Sequence, residues 1–209
     1  MLISHKHKFL FLHVPKSAGT SIRSALASYS EVRPTHTPKH VYNHHVRANH
    51  LKSHFESQKW NWSEYFKFTF FRNPWDITAS IWHYAHKCIQ ETKGIDTSNW
   101  ANSDWFVRAK RITNLNNFDE FVFNYVSYDT QLSFAFDENN NLIVDFIGDF
   151  DNLNKDFNTI CQKIGITTPD LPKLNQSSSR PYQSLYSQKS IDHVHKIYKK
   201  TIDYMNFSF

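Results

Sequence analysis

Lys16, Ser17, Gly19, Thr20 and Ser21 fall together in the stretch PKSAGTS, one cation, three hydroxyls and a glycine on adjoining positions. Such a set suits an anion. Glycine lets a ligand approach the backbone, successive amides point outward where a helix begins, and the hydroxyls and the lysine add donors and charge. The order of residues narrows the chemistry. A triphosphate-binding loop places its lysine after the second glycine and a Ser/Thr on magnesium; here Lys16 precedes Gly19. The spacing therefore fits one phosphate group, with the lysine near the bond to whatever group follows it. On the loop alone, an ordinary strand-to-helix turn with a surface lysine fits as well.

Arg72 and Ser80 form a second candidate pair. An arginine fork with a serine hydroxyl suits a separate phosphate, although each residue alone also reads as a surface ion pair or a neutral helix position. A third cluster is HVYNHHVRANHL, residues 40–51, where an imidazole of ordinary pKa about 6.5 could accept a proton near neutrality. Among the 13 histidines, His40/His44 and His50/His54 have i, i+4 spacing. With no H-E-x-x-H and no third ligand in view, no metal site is expected.

These residues need elements to hold them. KFLFLHV, Lys8 to Val14, is a short continuous apolar run stopped by Pro15, which predicts a buried strand. Ile22, Ala25, Leu26 and Tyr29 then follow helical spacing from Thr20 onward. FKFTFF, from Phe66, predicts a second strand ending at Arg72, and RNPWDITASIWHY starts a helix with Asn73 as cap, Pro74 at its first position and Asp76 in its first turn. LIVDFIG, Leu142 to Gly148, predicts a third strand, followed by a helix with Leu153, Phe157, Ile160, Cys161 and Ile164 on one face and Gly165 as its stop. Asn117 to Ser127 reads as a short helix, Asp137 to Asn141 as a polar turn, LPKLNQSSSRPY as a loop, and Ser187 to Tyr204 as one final helix. Strands that lead into helices predict an α/β fold, a central mostly parallel sheet flanked by helices in a single domain over 1–209. In such sheets ligands bind beyond the carboxyl ends of the strands, where PKSAGTS and Arg72 both fall.

Composition sets the outer bounds. Hydrophobic residues make up 40% of 209, enough for a substantial core, so disorder is not expected. The net charge of +5 suits an anionic ligand but is too small and dispersed to indicate nucleic acid. Two cysteines without CxxC spacing point to neither a disulfide framework nor a zinc site. The apolar run at the N-terminus is too short for a membrane span and lacks the features of a signal peptide, which predicts a soluble, cytoplasmic chain.

HVPKSAGTSI and FFRNPWDITASIWHY resemble the two signature regions of sulfotransferases that use 3′-phosphoadenosine 5′-phosphosulfate (PAPS), particularly the carbohydrate-acting branch with its PKTGGTS-like loop. The resemblance continues through VDFIGDFDNLNKDF and LPKLNQSSSRPYQSLYS. It implies a P-loop-like nucleotide-binding fold, PAPS as co-substrate without a metal, and an acceptor hydroxyl on a saccharide. It places Lys16, Ser17, Ala18, Gly19, Thr20 and Ser21 on the 5′-phosphosulfate, with Lys16 at the bridging oxygen and catalytic. Arg72 and Ser80 fall on the 3′-phosphate, and Arg180 in a loop that closes over the nucleotide. It also implies a catalytic base in the histidine-rich segment, where register favours His45, with His44 the near alternative. Two positions depart from the family pattern. Ala18 stands where glycine is common, which matters if that position needs positive φ, and Asp149 stands where arginine is common. A P-loop kinase and a non-catalytic carbohydrate- or nucleic-acid-binding module using its aromatic side chains are the rival readings; the missing triphosphate loop counts against the first, and a core role for the aromatics against the second.

Overall fold

The computed structural model describes residues 1–35, 40–98, 103–172, 174 and 181–209. The chain divides into two compact units, Met1–Arg72 with Thr130–Asn175, and Asn73–Asp129 with Gln176–Phe209.

The first unit is built on four strands in the order β1 (Leu2–Ser4), β2 (Phe9–Leu12), β3 (Phe66–Phe71) and β4 (Phe146–Asp149). β2, β3 and β4 run parallel, with Phe11 opposite Phe68 and Phe70 opposite Gly148. β1 pairs antiparallel with β2, so the sheet is mixed. The expectation built on three parallel strands alone missed this edge, because a three-residue strand entering a polar HKHK turn carries almost no periodic signal. Both outer predicted strands are also shorter than read: Lys8 takes a left-handed turn conformation at φ 51, and Leu142 makes only an isolated bridge to Phe136.

Alternation sorts the strand residues onto two faces. Phe9, Phe11, Phe68 and Phe70 pack with Ile22 and Leu26 of α1 (Gly19–Ala25) and its following turn, and with Phe157, Ile160 and Cys161 of α6 (Leu153–Lys163). Burying side chains of this size contributes about 1.5–3 kcal/mol each, which fixes where β2 ends and hence where the PKSAGTS turn begins. Gly165, at φ 69, ends α6 as expected. Between α1 and β3 lies α2 (Ala48–Ser57), with Leu51 and Phe55 buried; this helix was not read from the sequence.

The second unit is helical: α3 (Pro74–Glu91), α4 (Asp104–Thr113), α5 (Phe118–Tyr125), α7 (Gln188–Ile197) and α8 (Lys199–Met205). Its core gathers Trp75, Ala79, Ala109, Phe121, Val194 and Tyr198. Asn73 caps α3 by accepting from the Trp75 amide, with Pro74 and Asp76 placed as predicted. The single final helix read from periodicity is two helices, parted at Tyr198. Ser187 caps the first of them in a capping box with Ser190. Among the described residues no helix is long and apolar enough to cross a membrane.

Candidate active site

Pro15 to Ala18 turn the chain from β2 into α1, and the turn is held at its base by the Ser17 amide donating to the Val14 carbonyl, 3.4 Å. Lys16 and Ala18 both sit in the left-handed region, at φ 65 and φ 56. For residues with a Cβ this costs about 1–2 kcal/mol each. The departure at Ala18 therefore has a physical consequence. Ala18→Gly should relieve about 1 kcal/mol of it, raising the midpoint of thermal unfolding by roughly 2–4 °C in a chain of this size. Calorimetry reads this directly, and an unchanged or lower midpoint contradicts it.

Ala18 is also the N-cap of α1, and among the described residues no side chain caps the helix. The first amides of any helix lack intrahelical acceptors, so those of Gly19, Thr20 and Ser21 face outward from the turn. Beside them Ser17 is 1% exposed, and its hydroxyl has no hydrogen-bond partner among the described residues. A buried hydroxyl left in this way is uncommon and invites an acceptor. Ser21 Oγ accepts weakly from the Leu174 amide, 3.4 Å, and keeps its own proton to donate. Gly19 has a role the sequence did not disclose. A Cβ there would lie 1.7 Å from His13 Cδ2 and 1.9 Å from its Nε2, so glycine makes room for the His13 ring rather than for an approaching ligand.

Arg72 directly follows β3 and reaches the same turn: its Nη1 donates to the Lys16 carbonyl at 2.8 Å. The guanidinium lies 4.2 Å over the ring of Phe150, a cation–π contact that orients its plane. Its backbone is fixed by Gln131, whose Oε1 accepts from the Arg72 amide at 2.8 Å and whose Nε2 donates to the Arg72 carbonyl at 2.9 Å. Gln131 is wholly buried and acts as a substitute strand beyond the last residue of β3. Sequence reasoning passed it over, since a lone glutamine between helices carries no pattern. Asp149 spends its carboxylate locally, accepting from the Asp151 amide and from Asn152 Nδ2, and so starts the turn that presents Phe150 to Arg72.

His45 and His44 diverge in detail. His45 Nδ1 lies 3.0 Å from the His13 carbonyl; a carbonyl only accepts, so Nδ1 carries the proton and Nε2 keeps the free lone pair. His44 Nδ1 is bonded to Arg23 Nη1, and a guanidinium only donates, so this lone pair is already engaged. His45 is exposed at the surface while one side of its ring packs on His13. That one-sided burial, with Arg23 nearby, holds its pKa below the ordinary histidine value. A pocket of about 330 Å³ opens beside it, lined by His40, Val41, Asn43, Val46, Arg47 and His50.

The first unit thus brings together Lys16, Ser17, Ala18, Gly19, Thr20, Ser21 and Arg72, with His45 tied to the strand that feeds the turn. Ser80 lies in the second unit on α3, buried at 3% exposure. Arg180 lies outside the described residues. Among the described residues no cluster of histidine, cysteine or carboxylate side chains could hold a metal ion. A family model described as "Sulfotransferase family" matches residues 1–209. No curated protein and no solved structure matches the chain.

Proposed function

The chain belongs to the sulfotransferase family, and from that premise we propose that it moves a sulfuryl group from PAPS to an acceptor hydroxyl, with a saccharide the favoured acceptor. The match spans both compact units, which supports reading 1–209 as one P-loop-like catalytic domain. The observation that carries the donor assignment is the turn held through the Lys16 carbonyl by Arg72, whose helix has no side-chain cap and whose buried Ser17 hydroxyl has no partner among the described residues. One cradle rich in donors and one arginine beside it suit a ligand with two separate phosphates better than a triphosphate.

When bound, the donor supplies a sulfur–oxygen bond that breaks toward its 5′-phosphate. The amides of Gly19, Thr20 and Ser21 and the Ser17 hydroxyl would hold that phosphate. Lys16 would neutralise the charge that grows on the bridging oxygen, a task suited to a cation beside the breaking bond. Arg72 and Ser80 would hold the 3′-phosphate, with Arg180 a further candidate. His45 Nε2 would take the proton of the acceptor hydroxyl as its oxygen bonds to sulfur. The products are then a sulfate ester, adenosine 3′,5′-bisphosphate and a proton on the base.

A thermal-shift comparison tests this reading. Adenosine 3′,5′-bisphosphate at about a hundredfold excess over its Kd adds roughly 2.7 kcal/mol of stability, a shift of several degrees, whereas ATP with magnesium should give little. Arg72→Ala should lower bisphosphate affinity at least tenfold, because it removes a charged hydrogen-bonding group from the site. A chain that ignores the bisphosphate, or responds equally to ATP with magnesium, is not using this donor. Screening saccharide and other hydroxyl acceptors with donor labelled in its sulfate then identifies the acceptor class.

A further inference from the structure

His13 is the residue on which the turn and the base both rest. It follows β2 directly, is 6% exposed, and stacks on Phe11 with ring centroids 5.9 Å apart. One edge of its ring fills the space at Gly19, so closely that a Cβ there would overlap Cδ2 and Nε2. Its other neighbour is His45, 4.5 Å away between centroids, and its own carbonyl receives the His45 Nδ1 proton. The ionisable groups that face it, His45, the terminal amine, Arg23 and His44, are all basic, and burial together with these neighbours keeps the ring neutral. Its Nδ1 is buried without a partner among the described residues. Close-packed interiors transmit displacements rather than absorb them, and this ring is packed against both functional elements.

We propose that His13 is a positioning residue, a rigid spacer between Gly19 of the donor turn and the His45 imidazole, so that a displacement of either is felt by the other. The inference rests on the reading of the turn as the donor cradle and of His45 as the base. It makes Gly19 a steric partner of His13 and gives a size exchange as its test.

Four proteins are compared with the wild type: Gly19→Ala, His13→Ala, the double variant, and His13→Phe. Two signals are followed in each, the affinity for adenosine 3′,5′-bisphosphate and the nitrogen–proton NMR correlations of the His45 ring. Gly19→Ala should push the His13 ring aside, lowering affinity about tenfold or more and turning the single Nδ1–H tautomer of His45 into a mixture. The double variant removes the obstructing ring, so affinity should return to within about threefold of wild type while the His45 signals stay perturbed. His13→Phe, with a ring of similar size, should keep both signals near wild type. If Gly19→Ala costs the same affinity whether or not residue 13 carries a ring, or if the His45 signals ignore every variant, the spacer is overturned. If Gly19→Ala does not fold, His13→Ala alone must still alter the His45 signals, and unaltered signals overturn the proposal. If the wild type itself does not bind the bisphosphate, the donor reading fails, and the His45 signals alone then decide the spacer.

Discussion

Lys16→Ala is expected to lower the rate of sulfuryl transfer by about 10² to 10³-fold, the usual cost of deleting one group that meets charge developing in a transition state. Affinity for adenosine 3′,5′-bisphosphate should fall by less than about tenfold, because the turn amides and Arg72 remain. The fold should survive the change. Residue 16 sits at φ 65, and Ala18 shows that this turn already holds an alanine in the same region. What Arg72 grips is the carbonyl of residue 16, not its side chain, so the clamp is kept when the ammonium is lost. Lys16→Arg should recover little, since a planar fork on a different stem cannot take the place of a compact ammonium at one oxygen. Single-turnover measurements with sulfate-labelled donor separate the two effects. A loss confined to nucleotide affinity, with the transfer step intact, would make Lys16 a binding residue only.

The candidate site was most legible where local rules set the backbone that carries it. Lys8 to Val14 read as a buried strand, of which Phe9–Leu12 forms β2 ahead of Pro15, and the hydroxyl-rich turn that follows is the candidate anion site. Asn73, Pro74 and Asp76 started α3 for the reasons that start helices generally, and so placed Arg72 at the end of β3. What stayed hidden depends on contacts distant in sequence. Gln131 serves Arg72 from 59 residues away, and its amide imitates a backbone pairing that no periodicity reports. Gly19 was legible as necessary, yet for another reason, because only the folded chain shows the His13 ring filling the space a side chain would need. The break at Tyr198 was also invisible: apolar spacing runs on through it, with neither glycine nor proline to mark the stop. Register favoured His45 over its identical neighbour His44, and the fold adds a difference that adjacent identical residues cannot show. The Nδ1 of His44 meets a donor, whereas that of His45 meets a carbonyl.

That distinction yields a second large effect. His45→Ala should reduce transfer by about 10² to 10⁴-fold, the range for loss of a general base, with bisphosphate affinity falling by no more than about threefold, because no part of His45 belongs to the cradle and the cradle feels its loss only through His13. His44→Ala should cost transfer much less, its Nδ1 lone pair being already taken by Arg23. The pH profile identifies the base independently of either variant. A base must be neutral to accept a proton, so kcat/KM falls on the acid side through the pKa of the free enzyme's base. Burial of the His45 ring, reinforced by Arg23, disfavours its charged form, whereas the bond to the His13 carbonyl opposes that shift without cancelling it. The acid limb should therefore lie below the ordinary histidine value of about 6.5, leaving the enzyme fully active at neutral pH. A limb at or above that value, or one that persists unchanged in His45→Ala, would assign the proton to another group. Stability has the same sign: a histidine whose pKa is depressed on folding contributes fully above its unfolded value and loses that contribution as pH falls below it. His13 and His45 share this direction. Unfolding midpoints should accordingly drop as pH falls from 7 toward 5, and the drop should be smaller in His13→Phe, which removes one of the two rings that must stay neutral.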